Sequence, residues 1–104
     1  MAAGAPNSLA LVASPNNGSG EQDLFAATTA ADGSTWAAGW FMNGSEQTLT
    51  EHGVNGTWSI VASPSPGTGD NGFAGITAVP GGGLWAVGVT SNNANFATLI
   101  AHNC

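Results

Sequence analysis

One stretch of this chain returns 49 positions after its first appearance. Leu11-Val12-Ala13-Ser14-Pro15 comes back as Ile60-Val61-Ala62-Ser63-Pro64, and Trp36-Ala37-Ala38-Gly39 as Trp85-Ala86-Val87-Gly88. Late in each copy the offset is 50: Thr48-Leu49 returns as Thr98-Leu99, and His52 as His102. Self-similarity at such a period marks an architecture of stacked units, none of which can bury its apolar face alone. A unit of about 50 residues is close to the size at which a lone core becomes marginal, so each copy is expected to lean on its neighbour. The units are placed at residues 1–57 and 58–104, with one strand open to exchange between chains.

The chain is built from strands. Helix-filling residues are scarce, Gly occurs 16 times, and short β-type runs alternate with turn clusters. The runs are Leu9 to Ala13, Leu24 to Ala30, Thr35 to Met42 and Gln47 to His52 in the first unit. In the second they are Trp58 to Ala62, Phe73 to Val79, Leu84 to Thr90 and Phe96 to His102. Asn43-Gly44 and Asn55-Gly56 carry hairpin chemistry, because both residue types tolerate positive φ. Asp32-Gly33-Ser34 and Pro80-Gly81-Gly82-Gly83 hold matching turn positions, and the prolines after Ser14 and Ser63 end the preceding strands. In Leu84-Trp85-Ala86-Val87-Gly88-Val89 both faces are apolar or small, the pattern of a strand covered on both sides. Four short strands at this period fit one blade of a β-propeller. The expected fold is all-β, with two four-stranded blades per chain. Trp36, Trp58, Trp85, Gly39 and Gly88 are read as blade-packing residues.

Composition excludes several roles. The chain has 104 residues, 42% of them hydrophobic, too many for a disordered polymer. It has no Lys and no Arg, and its formal net charge is −6. Nucleic-acid binding requires cations against phosphates, and a polybasic membrane anchor requires the same, so neither partner is expected. No stretch reaches a membrane-spanning length, and residues 1–14 lack the basic start of a signal peptide. Cys104 alone forms no internal disulfide, and a free thiol is the expected state.

Trp85-Ala86-Val87-Gly88, preceded by Phe73-Ala74-Gly75-Ile76, resembles the WAVG repeat of bacterial tandem-repeat β-propeller proteins. Thr48-Leu49-Thr50-Glu51-His52, followed by Asn55-Gly56-Thr57-Trp58-Ser59-Ile60-Val61-Ala62-Ser63-Pro64, is similar to the same pattern. The chain departs from it at Ala38, where Val is usual, and at Leu9, where Trp is usual. The resemblance implies a propeller blade and an extracellular or cell-surface setting. It implies no particular reaction.

Two blades do not close a propeller, which needs at least about four. Three or four copies, giving six or eight blades, are expected to complete the ring as a homo-oligomer, with Leu9 to Val12 of one chain offered to the next. The expected role is a self-assembling scaffold that is not an enzyme. The alternative is a lectin-like module for neutral glycans in the grooves between blades, with Trp40, Asn43 and Glu51 as contacts. Trp40 is singled out because its counterpart is Val89, so the repeat does not demand an aromatic there. No catalytic residue, metal site or cofactor is assigned: His52 follows Glu51 but His102 follows Ala101, so no acid–base pair repeats. Gly67-Thr68-Gly69-Asp70-Asn71-Gly72 lacks the alternating acidic ligands of a calcium loop and is read as a turn. Asn17, Asn43 and Asn55 sit in glycosylation-type triplets, but each is followed by Gly, and turns account for them.

Overall fold

The computed structural model describes residues 15, 16, 18, 20–92 and 95–103, with only the backbone of residue 103. Two antiparallel sheets account for its regular structure, and no helix occurs among the described residues. The first is a meander of β1 (Gln22–Thr29), β2 (Thr35–Asn43), β3 (Ser45–Val54) and β4 (Thr57–Val61), hydrogen-bonded in chain order. The second follows the same path with β5 (Asn71–Ala78), β6 (Leu84–Asn92) and β7 (Asn95–Asn103).

The predicted runs coincide with these strands, with one change of allegiance. The Trp58 to Ala62 run was expected to open the second unit. In the fold it is β4 and pairs with β3, closing the first sheet. The division between sheets therefore falls in residues 62–70, one strand later than the division between sequence repeats. The expected four-plus-four arrangement is four plus three among the described residues, and the Leu9 to Ala13 run lies outside them.

Local chemistry explains the meander. Asn55 and Gly56 both take positive φ (52° and 83°), the two-residue turn whose twist matches the strands it joins. The β1–β2 and β5–β6 turns are superimposable in their bonding. The Ala30 N–H donates to the Ser34 carbonyl (2.8 Å) and the Val79 N–H to that of Gly83 (3.1 Å), each corresponding pair 49 positions apart. β1 and β5 each carry a bulge, between Leu24 and Ala26 and between Phe73 and Gly75. Opposite the bulges stand Gly39 and Gly88. A Cβ at either would run into backbone, the Asp23 carbonyl in one sheet and the Gly72 carbonyl in the other. The WAxG pattern thus ends in Gly because the bulged edge strand presses against that position.

The second sheet lies over one face of the first. That face of β2 and β3 presents Trp36, Ala38, Trp40, Thr48, Thr50 and His52. The opposing face of β5 to β7 presents Phe73, Ile76, Leu84, Ala86, Leu99 and Ala101. Ala38, Phe73, Ala86 and Leu99 form the buried cluster between them, with Ile76 and Ala101 packed at its margin. Among the described residues, the Ala78 N–H donates to Thr28 Oγ1 (3.1 Å) between the sheets, and the Glu46 N–H donates to Asp70 Oδ1 (2.9 Å), just ahead of β5.

Candidate functional site

The repeated histidines are partners of the repeated tryptophans. Trp36 and His52 are cross-strand neighbours on β2 and β3, and their rings stack at 4.2 Å between centroids. Trp85 and His102 do the same on β6 and β7 at 4.1 Å. Each repeated histidine thus stacks its ring on the repeated tryptophan across the strand pair. The signal was present in the sequence as a shared recurrence of Trp and His, but only the strand register brings the two together.

The residues assigned to glycan contact do not converge. Trp40 lies on the β2 face covered by the second sheet, whereas Glu51 pairs with Ala37 on the opposite face of the first sheet. Asn43 is exposed in the β2–β3 turn. Trp40 instead meets other groups. With Phe25, Phe96, Glu46 and Asp70 it lines a groove of about 400 Å³ between the sheets. Burial raises the Glu46 carboxyl above its ordinary range, and the neighbouring charges of Asp70, Glu21 and Asp23 push it in the same direction.

Glu51 is 2% exposed, its Oε1 has no hydrogen-bond partner, and burial raises its pKa. The oxygen of neighbouring Thr50 and Nε2 of His52 are also buried without partners. Thr50 lines a second inter-sheet cavity of about 380 Å³ with Trp36, Phe73 and Ala101. These atoms do not form a catalytic constellation: Thr50 and His52 share one face of β3 and Glu51 is on the other.

The Gly67–Gly72 loop is held by protein groups. Asn71 is fully buried and its Oδ1 accepts from the Gly67 N–H (2.8 Å) and from Thr90 Oγ1 (2.6 Å), while its Nδ2 donates to the Gly67 carbonyl (3.1 Å). Among the described residues no group of three or more His, Cys, Asp or Glu converges as metal ligands.

Trp36 packs at the margin of the inter-sheet cavity, and Trp58 lies across bare Gly53, whose Cβ position is 2.6 Å from the indole ring. Trp85 differs, being 42% exposed on the outward face of the second sheet beside Val87, Val89 and Ile100. Together they form an exposed apolar face. Cys104 and Asn17 lie outside the described residues. Comparison with known protein families, characterised proteins and solved structures gives no match for this chain.

Proposed function

We propose that the chain is a self-assembling β-propeller scaffold without catalytic activity, in which several copies close a ring. The supporting observation is a mismatch between equivalent surfaces. In the first sheet the face carrying Trp36, Ala38 and Thr50 is covered by the second sheet. Its counterpart in the second sheet carries Trp85, Val87 and Ile100, and these remain 42%, 47% and 62% exposed. A contiguous apolar face of this kind marks an interaction surface. The repeat names what fits it. The opposite face of the first sheet, with Leu24, Ala37, Gly39 and Leu49, corresponds residue for residue to Phe73, Ala86, Gly88 and Leu99, the set packed between the sheets. On the first sheet Ala37, Gly39 and Leu49 are already buried and Leu24 stays exposed, so a second copy meets this face along its Leu24 edge, and head-to-tail contacts of this kind close into a ring of three or four chains. Val87→Glu and Ile100→Glu together place charge on the outward face. Sedimentation velocity is expected to show the variant as folded single chains. An oligomer as large as the parent's would refute the interface.

A second reading, binding of neutral glycans, draws on the groove beside Trp40. An indole next to carboxylates offers both a stacking plane and hydrogen-bond acceptors for a sugar ring. Trp40→Ala is expected to remove any signal on a neutral-glycan array and leave assembly intact. Loss of assembly with no glycan signal in the parent would make Trp40 a packing residue.

A further inference from the structure

We propose that the cavity between the two sheets beside Thr50 binds a small neutral molecule with an apolar body and one hydroxyl or carbonyl group, held by the Thr50 hydroxyl. The inference stands apart from the ring, because one chain supplies the lining. Three observations carry it.

The first is an orphaned group. Thr50 lies on the face of β3 turned towards the second sheet, and it lines the cavity. It is 8% exposed, and its Oγ1 is buried with no hydrogen-bond partner. A hydroxyl taken out of water without a partner is destabilising. Thr48, two residues earlier on the same face, is satisfied: its hydroxyl donates to the Pro64 carbonyl (2.8 Å). The strand thus pairs one threonine within the protein and leaves the next one facing open space.

The second is what the repeat does at the same place. The counterpart of Thr50 is Ile100, which brings no hydroxyl and more apolar volume. It sits on β7 as Thr50 sits on β3, so the strand pairing does not need a hydroxyl there. An isoleucine in the first copy would fill part of the cavity and remove the orphan. A position that departs from local stability in this way is where a binding role is expected.

The third is the lining. The cavity measures about 380 Å³, at the small end of ligand pockets, which run from roughly 300 to 1,000 Å³. Trp36, Phe73, Ile76 and Leu84 give it apolar walls. The other hydroxyl and the imidazole at its margin are engaged: Ser63 Oγ lies 2.8 Å from Thr48 Oγ1, and the His102 ring stacks on Trp85. Among the described residues no carboxylate lines it, and the chain has no Lys or Arg. A charged ligand would lose its hydration and meet no counter-ion, so the occupant is neutral. A threonine hydroxyl both donates and accepts, which suits a hydroxyl or a carbonyl. Water would satisfy Oγ1 but leave the apolar walls wet; a molecule with an apolar body answers both needs.

The test titrates the full chain with para-ethylphenol and with ethylbenzene, which differ by the hydroxyl alone, and follows backbone-amide and indole NMR shifts. Both compounds are expected to move the Trp36 indole N–H and the Ala86 and Ala101 amides, with para-ethylphenol binding the tighter. Thr50→Val keeps the shape of the side chain and removes the hydroxyl. It should weaken para-ethylphenol roughly three- to tenfold and leave ethylbenzene unchanged. Thr50→Ile introduces the side chain that the second copy has at this place, and should weaken both compounds. Thr50→Val decides the matter by itself if Thr50→Ile disturbs folding. No shift at these positions up to the solubility of either compound would leave water as the occupant and overturn the site. Shifts confined to Trp85, Val87 and Ile100 would place binding on the outward face and overturn it too. Equal affinity for the two compounds, unmoved by Thr50→Val, would overturn the role of the hydroxyl. So would an unfolding midpoint lowered by Thr50→Val in the free chain, since Oγ1 would then already have a partner.

Discussion

Glu51 is the least comfortable residue in the fold. Its counterpart in the second repeat is Ala101, so the position does not require a carboxylate. An unpaired buried polar group costs about 1–3 kcal/mol. Glu51→Ala is therefore expected to raise the unfolding midpoint, by the equivalent of about 1 kcal/mol or more; a lowered midpoint would mean that the carboxylate has a partner. The pH dependence follows. A carboxyl whose pKa is raised on folding binds more protons in the native state than in the unfolded chain, so stability falls as pH rises. Glu51 and Glu46 both carry raised pKa values. The parent should gain stability as pH drops from neutral towards 4.5, the ordinary value for Glu, and Glu51→Ala should flatten that slope. Asp32 works in the opposite sense. Hydrogen bonds from the Ser34 hydroxyl (2.6 Å) and N–H (2.9 Å) hold its pKa down, so its contribution is lost as pH falls below its ordinary 3.8. Thermal unfolding across pH should thus show a maximum on the mildly acidic side.

At the scale of elements, the bulge–glycine pairs are the stiffest constraint. Gly39→Ala or Gly88→Ala forces a methyl group into a backbone carbonyl and should cost about 1–3 kcal/mol, measured by denaturant unfolding. A cost near zero would mean that the bulged edge strand yields easily. These elements also show what a single sequence makes legible. The Asn55-Gly56 hairpin was readable because its turn type is set by those two residues alone. The strands were readable from their apolar runs and from Pro and Gly punctuation. The sheet that β4 joins was not, because a period states what recurs and is silent on where one unit stops. Nor was the bulge at Phe25 and Ala74, which depends on the strand opposite. Of the glycan-contact set, Trp40, Asn43 and Glu51 lie close in sequence. The alternation of strand faces separates Trp40 from Glu51, and parity along β2 and β3 becomes known only once the register is fixed.

For the whole molecule, two sheets enclose a small core and leave large apolar side chains outside it. With no Lys or Arg the surface has no ion pairs of those kinds to offer, and its net charge of −6 is the main force opposing association. Assembly should therefore strengthen when salt is added, since screening weakens repulsion between like-charged copies while apolar contact persists. Dissociation on adding salt would point to an electrostatic interface instead. The central claim is that one copy is an unfinished ring whose outward face requires another copy. Multi-angle light scattering on the full chain across a dilution series tests it directly. The account predicts a discrete particle of three or four chain masses that persists on dilution; a folded particle of one chain mass at every concentration would contradict it.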